Sequence, residues 1–239
     1  MNNATYYAIA DIHGRLDLMN ALIEQIDEDC VQNDVKNPVL VFLGDYVDRG
    51  PQSAGVVDRV IELSKERNVI PLMGNHEDII LILMSGALAY FENWFYRAGG
   101  AATLASYGWK NGEKIKLTEL IKPEHVQFFQ SLKLYHETED HIFVHAGLKP
   151  GVSLAKQDDE DCLWIREGFL DSDYDFGKIV IHGHTPTDDG QPEVLPNRVN
   201  LDTKAFRSDV LTCGVFETGS RVPRIIQTPA PSLAPQPAI

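Results

Sequence analysis

The sequence predicts an α/β fold in which short buried strands alternate with helices. Apolar residues after the first predicted strand recur at a four-residue step, as in Leu18, Leu22 and Ile26, which is the period of one helix face. Two further strand and helix pairs follow, and short strands dominate from residue 134 onward. This alternation favours a sheet whose first strands are joined by helical crossovers. The first three strands are predicted at residues 6–10, 39–43 and 69–73.

The remaining elements follow from the same patterns. Helices are predicted over 53–67 and 77–84, where apolar residues recur at helical spacing. An aromatic-, Ala- and Gly-rich stretch at about 86–121 predicts a helical insertion within a catalytic domain of residues 1–228. The Pro- and Ala-rich residues 229–239 predict a disordered tail. The later strands, separated by Gly, Pro and Asp, are predicted at 134–137, 142–145, 179–182, 199–201 and 210–216.

Composition and charge restrict the classes of protein to which the chain belongs. Its 239 residues, 44% hydrophobic and 23% charged, are typical of a globular protein with a sizeable core. The net charge of −14 disfavours nucleic-acid polymers and anionic membranes as partners, because both are negatively charged. Three separated cysteines, with neither a signal sequence nor a long apolar segment, predict a reduced, cytoplasmic protein. The sequence does not indicate an oligomeric state.

Five predicted strands are followed by the same kind of polar residues. Ligands in open α/β sheets gather beyond the carboxyl ends of strands, so we expect these residues to converge in space. The neighbouring glycines allow sharp turns and a close approach of the backbone to a ligand. The five segments are DIHG from Asp11, GDYVDRG from Gly44, GNHE from Gly74, HAG from His145 and HGHT from His182.

The chemistry of these segments indicates a pair of divalent cations. Carboxylates, imidazoles and one amide, without thiolates, suit Mn²⁺, Fe or Zn²⁺. One carboxylate can bridge two cations about 3.5 to 4 Å apart, which together hold the attacking and leaving oxygens of a displacement. Asp45 is the candidate bridge, and Asp11 and His13 are predicted to complete the first cation site. The second cation site is predicted to comprise Asp45, Asn75, His145 and His184.

These motifs resemble those of the phosphoprotein phosphatase family of metallophosphoesterases. DxHG, GDxxDRG and GNHE occur in the family order, and HAG, WIR and GHTP follow them. The stretch with Trp94, Gly99-Gly100 and Thr103 is similar to the insertion of the bacterial branch. The resemblance covers about residues 6–216 and looks closest to the bacterial and bacteriophage lambda type of serine/threonine phosphatase. It implies a four-layer α-β-β-α sandwich with a helical insertion.

The resemblance also implies a role for each matched residue. His76 is expected to be the general acid that protonates the leaving oxygen, with Asp48 fixing its imidazole by a hydrogen bond. Arg49 and Arg166, together with Asn75, are expected to bind phosphate oxygens. The expected nucleophile is a metal-bridging water that attacks directly, without a covalent phospho-enzyme. Mn²⁺ is the expected metal in vitro, with Fe or Zn²⁺ as alternatives.

The sequence leaves more than one function open. The leading hypothesis is a serine/threonine protein phosphatase acting on phosphoproteins. The alternative is a hydrolase of dinucleoside tetraphosphates or other nucleotides, because the symmetrical diadenosine tetraphosphatases resemble the same pattern. Trp164 and the aromatic insertion suit the stacking of a nucleobase as well as the covering of a phosphopeptide. A non-catalytic metal-binding scaffold is disfavoured, since the predicted ligands, the acid and its orienting carboxylate are all present.

Several residues have simpler interpretations. Arg166 rests on a short match, so an ion pair with Glu167 or Asp161 is the alternative to phosphate binding. His182 has no matched role and is predicted either to support the ligand residues from behind or to be structural. The histidines outside every motif, predicted to lie at the surface, are His125, His136 and His141.

Overall fold

Two five-stranded sheets carry the structure, a computed structural model that describes residues 4–229. The strands are β1 (Thr5–Ile9), β2 (Pro38–Phe42), β3 (Asn68–Pro71), β4 (Tyr135–Glu137), β5 (His141–Val144), β6 (Ile179–His182), β7 (Glu193–Val194), β8 (Arg198–Asn200), β9 (Thr212–Glu217) and β10 (Arg224–Gln227). The helices are α1 (Leu16–Gln32), α2 (Ser53–Glu66), α3 (Asn75–Met84), α4 (Phe91–Asn93), α5 (Gly100–Ser106), α6 (Leu117–Leu120), α7 (Pro123–Ser131), α8 (Asp159–Trp164) and α9 (Ala205–Ser208). A π-helical turn spans Trp94–Ala98, and 3₁₀ turns span Leu88–Tyr90 and Leu154–Lys156.

Each sheet contains three parallel strands, with antiparallel strands at one edge of the first sheet and at both edges of the second. The first has the order β10-β9-β1-β2-β3, in which β1, β2 and β3 run parallel and are joined by α1 and α2. The second has the order β4-β5-β6-β8-β7, in which β5, β6 and β8 run parallel. Because parallel strands end at the same edge, each sheet delivers several loops to one side of the molecule.

The two sheets pack face to face. Alternate residues of β1 point to opposite faces, so that Ala8 faces the second sheet while Tyr7 and Ile9 face the helices. The layer between the sheets is closed by side chains such as Phe143 and Phe216, both fully buried or nearly so. This arrangement confirms the predicted sandwich of two sheets flanked by helices.

The two outer layers differ in thickness. Helices α1, α2, α3 and α7 cover the first sheet through a large apolar cluster. On the second sheet the cover consists of the short helix α8 and loop residues, among them Leu148 and Phe169. The polar residues that follow the strands are therefore framed by helices on one side and mainly by loops on the other.

The predicted element boundaries agree with the structure to within about two residues. Helix α3 begins at Asn75 rather than Glu77, so the GNHE segment forms the first turn of the helix. Residues 86–121 contain only short helical segments, and the domain limits given above stay a prediction. Most of the predicted tail, residues 230–239, lies outside the described residues. Within 4–229 no helix is long and apolar enough to cross a membrane.

Candidate active site

The loops after the strands meet and bond to one another through the backbone. The His13 amide donates to the carbonyl of Asp45 at 2.8 Å, and the Gly183 amide donates to the carbonyl of His145 at 2.9 Å. Gly74 is required here, because a Cβ at this position would lie 2.2 Å from the Asp45 nitrogen. The five polar segments predicted from the sequence therefore form one continuous site at the strand ends.

Several of the converging residues adopt a backbone conformation that non-glycine residues rarely adopt. Their φ angles are positive, between 47° and 71°, in the left-handed region. Such conformations cost about 1–3 kcal/mol each and persist where the surrounding structure enforces them, commonly at functional sites. The site residues concerned are His13, Asp45, Asp48, Arg49 and His184.

The Asp45 carboxylate lies between imidazole nitrogens that have no proton to offer it. His13 Nδ1 donates to the Val47 carbonyl and His145 Nδ1 donates to the Leu43 carbonyl, each at 2.8 Å. In a neutral ring the other nitrogen then carries a lone pair. His13 Nε2 lies 3.3 Å from one Asp45 oxygen and His145 Nε2 lies 3.5 Å from the other.

This arrangement of lone pairs suits cations. The nitrogen lone pairs of His13 and His145 repel the Asp45 carboxylate. Burial lowers the pKa of both histidines, against the opposing effect of the Asp45 charge, so protonation of the rings does not readily relieve this repulsion. A divalent cation on each side of Asp45 would relieve it. The donor set, imidazole nitrogen with carboxylate and amide oxygen, matches what such cations bind.

Asn75 and His184 complete the second group of donors. The Asn75 Oδ1 atom lies 2.9 Å from His145 Nε2 and 3.1 Å from His184 Nδ1. The ligand atoms of Asp45, His145 and His184 lie within 4.8 Å of one another and are buried. The second predicted cation site is thus assembled as expected, although its role in binding metal stays a prediction.

At the first predicted cation site, ligand atoms of His13 and Asp45 lie within 4.8 Å of each other and of a His76 nitrogen. Asp11 is not part of such a close group among the described residues, and its role as a ligand stays a prediction. Both Asp11 oxygens accept a hydrogen bond from the His184 amide, at 3.0 and 3.1 Å. Burial and the charges of Asp202 and Asp45 raise the pKa of Asp11 well above its usual value, a repulsion that a nearby cation would offset.

His76 and Asp48 form the predicted hydrogen-bonded pair. His76 Nδ1 lies 2.6 Å from an Asp48 oxygen, and both side chains are buried. Burial opposes protonation of His76, but the charges of Asp45 and Asp48 and the hydrogen bond raise its pKa to about 9. The imidazolium places a proton on the ring with Nε2 directed toward Asp45, at 3.7 Å. This geometry suits a proton donor at the centre of the site.

Glu77 organises the loop that carries Asp45, a role that the sequence did not indicate. One of its carboxylate oxygens accepts from the amides of Tyr46 and Val47, and the other accepts from those of Asp45 and Gly74, at 2.9 to 3.2 Å. The side chain is completely buried. Burial and the Asp45 charge raise the pKa of Glu77 to about 8. Four backbone amides nevertheless point at its two oxygens, and because a carboxyl proton would face two of these donors, we assign the ionised form.

Two arginines and two aromatic side chains border the site. The Arg49 guanidinium lies 4.4 Å from the ring centre of Phe206, a residue that no sequence motif marked. Arg166 is exposed and makes no ion pair among the described residues, so the alternative of pairing with Glu167 or Asp161 is not supported. Trp164 is 40% exposed, and its ring lies edge-on to His184 with ring centres 6.1 Å apart.

The histidines outside the motifs require a correction. His125 and His141 were expected at the surface, yet they are 0% and 2% exposed. His125 bonds to the Tyr107 hydroxyl at 2.6 Å and to Asp58 at 2.9 Å, which satisfies both ring nitrogens. Sequence position alone does not reveal such partners, because Asp58 lies in α2, 67 residues away, and Tyr107 directly follows α5.

Comparison with known proteins identifies the family. A family model described as calcineurin-like phosphoesterase matches residues 4–211. This chain belongs to the calcineurin-like phosphoesterase family. It is therefore a metal-dependent hydrolase of phosphoesters, and the family uses two divalent metal ions.

Individual relatives are similar over nearly the whole chain. This phosphoesterase is 26% identical over 227 residues to the bis(5′-nucleosyl)-tetraphosphatase PrpE (asymmetrical) of Anoxybacillus flavithermus, covering 87% of this chain and 88% of the relative. It is 27% identical over 229 residues to the protein of the same name from Oceanobacillus iheyensis, covering 87% of each. In fold it is similar to a crystal structure provisionally named diadenosine tetraphosphatase, with a TM-score of 0.67, 18% identity and coverage of 95% and 98%.

Proposed function

We propose that this phosphoesterase hydrolyses dinucleoside tetraphosphates and releases a nucleoside triphosphate and a nucleoside monophosphate. The observation that carries the proposal is the similarity, over 87% of the chain, to two bacterial tetraphosphatases whose names specify asymmetrical hydrolysis. These relatives favour the function that the sequence left as an alternative over a lambda-like serine/threonine protein phosphatase.

In the proposed reaction each site residue acts on the polyphosphate chain. The metal-binding residues are Asp11, His13, Asp45, Asn75, His145 and His184. Cations bound by these residues would supply positive charge that polarises the phosphate and lowers the pKa of water. His76, oriented by Asp48, donates its proton to the leaving phosphate oxygen. Arg49 and Arg166, with the Asn75 amide, bind the non-bridging oxygens.

A groove beside the site supports a nucleoside as part of the substrate. It has a volume of about 710 Å³ and is lined by Trp164, by Ile79 and Ile82 of α3, and by Tyr90. Its walls also carry the carboxylates of Asp78, Asp159 and Glu160, which repel phosphate. The polyphosphate is thus directed toward the arginines. The base stacks on the Trp164 ring, and the amino groups of the base donate to the carboxylates.

The charge of the groove supports a second candidate function. Acidic side chains beside apolar walls also suit a peptide with Lys or Arg near a phosphorylated residue. On this reading the enzyme is a protein phosphatase, the hypothesis that the motifs favoured. The two functions share the metal site and differ in what occupies the groove, so the substrate itself must be varied to separate them.

The proposed function is tested by product analysis with the purified protein and Mn²⁺. Diadenosine tetraphosphate is incubated with the enzyme, and the nucleotides are separated by anion-exchange chromatography, with a metal-free sample as control. Equal amounts of ATP and AMP are expected. Formation of ADP alone would contradict asymmetrical cleavage, and absence of turnover beside rapid hydrolysis of a phosphopeptide would overturn the proposed substrate.

The position of the base is tested with a substitution in the groove. Trp164→Ala is expected to raise KM for diadenosine tetraphosphate about 5- to 150-fold, since stacking of a base on an aromatic ring contributes about 1–3 kcal/mol. The variant should hydrolyse para-nitrophenyl phosphate, which has no base, almost as the parent does. Tyr96→Ala, which removes a 77% exposed aromatic ring that does not line the groove, serves as the control.

A further inference from the structure

The Asp48 carboxylate is held by three side chains, only one of which belongs to a predicted catalytic residue. His76 Nδ1 and Trp94 Nε1 bond to the same oxygen, at 2.6 and 2.8 Å. The Thr103 hydroxyl donates to the other oxygen at 2.5 Å. Asp48 itself is 0% exposed, so these donors take the place of water around its charge.

Trp94 and Thr103 come from the helical insertion. Gly99 and Gly100, which lie between them, allow the backbone to pack closely against Arg49 and the Trp94 ring. Gly99, at a φ of 97°, accepts a hydrogen bond from the Arg49 amide at 3.3 Å, and a Cβ there would lie 2.4 Å from the Arg49 nitrogen. A Cβ on Gly100 would lie 2.4 Å from the Trp94 ring. The pattern Trp-x₄-Gly-Gly-x₂-Thr thus describes one compact contact around Asp48 and Arg49.

The backbone of Asp48 is anchored by Thr103 and by Ser53 of α2. Its amide donates to the Thr103 hydroxyl oxygen at 2.8 Å and to the Ser53 hydroxyl oxygen at 3.0 Å. Asp48 has a φ of 71°, a conformation that local structure alone does not favour. The insertion therefore fixes both the main chain and the carboxylate plane of the residue that orients His76.

We propose that Trp94 and Thr103 are positioning residues for proton donation by His76, acting through Asp48. The inference rests on the proposed role of His76 as the proton donor in the reaction. A carboxylate bonded to His76 alone can rotate about its Cβ–Cγ bond and carry the imidazole with it. With Trp94 and Thr103 also donating, one carboxylate orientation remains, and the imidazole keeps its direction toward the leaving oxygen.

Proton donation matters most when the leaving group is a strong base, and this sets the kinetic test. Trp94→Phe removes the indole donor and keeps an aromatic ring, and Thr103→Val removes the hydroxyl at nearly constant volume. Each is expected to lower kcat for phenyl phosphate about 10- to 100-fold, the range of a hydrogen bond to a charged group, with KM nearly unchanged. The loss should be much smaller for para-nitrophenyl phosphate, whose leaving group needs little protonation.

The controls separate positioning from general damage to the fold. Thr103→Ser keeps the hydroxyl and should restore the parent rate. Trp109→Phe removes an indole bond to the Glu113 carbonyl, in the same insertion but away from Asp48, and should leave kcat unchanged. In a His76→Asn background, Trp94→Phe should cause no further loss.

Equal losses for both aryl phosphates, or a full further loss in the His76→Asn background, would overturn the proposal. The exchange of the His76 Nδ1 proton with water, followed by NMR, gives a second readout that needs no substrate. It should be faster in Trp94→Phe and Thr103→Val and unchanged in Trp109→Phe, whereas parent-like exchange in all variants would contradict the proposal. If the enzyme hydrolysed aryl phosphates but not diadenosine tetraphosphate, the proposed substrate would be wrong. The comparison of the Trp94 and Thr103 variants on the two aryl phosphates would still test the positioning role.

Discussion

Glu77, in α3, accepts hydrogen bonds from the loop that carries Asp45, and its replacement by Gln removes the negative charge and one of the two acceptor oxygens. Each carboxylate oxygen of Glu77 accepts two backbone amides, so whichever way the Gln amide turns, its NH₂ group faces two N–H donors. The substitution therefore removes two hydrogen bonds to a charged group, worth about 1.5–3 kcal/mol each, at a side chain that is completely buried. Allowing for some relaxation of the loop, we expect the free energy of unfolding to fall by about 4 kcal/mol.

Thermal unfolding followed by circular dichroism measures this loss. For a domain of this size, 4 kcal/mol corresponds to a fall in Tm of about 8–16 °C. Glu62→Gln is the matched control, because Glu62 is exposed and pairs with Arg59 at 3.4 Å, and it should change the unfolding free energy by less than about 0.5 kcal/mol. A Glu77→Gln protein as stable as the parent would refute the reasoning, since it would mean that Glu77 is protonated and not a charged acceptor.

Three further predictions concern single residues. His76→Asn should retain its metal content, measured by mass spectrometry, and lose about 10²–10⁴-fold in kcat for phenyl phosphate; unchanged turnover would remove His76 from the proposed mechanism. Arg166→Ala should raise KM for diadenosine tetraphosphate about tenfold, because a charged phosphate contact is lost, and an unaltered KM would argue against that contact. Burial lowers the pKa of His182 to about 3, so below pH 6.5 the unfolded chain takes up a proton that the folded protein does not. Acidification from pH 7.5 to pH 5 should therefore lower the free energy of unfolding by about 2 kcal/mol through His182 alone. In the His182→Gln variant, the difference in unfolding free energy between pH 7.5 and pH 5, measured by urea titration, should be smaller by this amount.

The positions of the strands and of the polar segments after them were predictable from the sequence. Apolar runs such as the one ending at Phe42 stand out because parallel strands are buried on both faces. The residues after them gather because those strands end at one edge. Asp45, His145 and His184 accordingly lie together as predicted, although they are up to 139 residues apart in the chain.

The supporting contacts were not predictable in the same way. Phe206 reaches Arg49, and Trp94 reaches Asp48, across long separations in sequence, without a periodic pattern that marks either contact. The positive φ angles of Asp48 and Arg49 likewise arise from tertiary contacts and not from local propensity. The same reason explains why His125 and His141 were wrongly expected at the surface.

The most direct test of the central claim is a comparison of kcat/KM for diadenosine tetraphosphate and a phosphoserine/phosphothreonine peptide, measured side by side with Mn²⁺. The proposed function predicts a clear preference for the dinucleotide, with ATP and AMP as products and no turnover of either substrate in a metal-free sample. A preference for the phosphopeptide would contradict the proposed substrate and assign the acidic groove to a peptide.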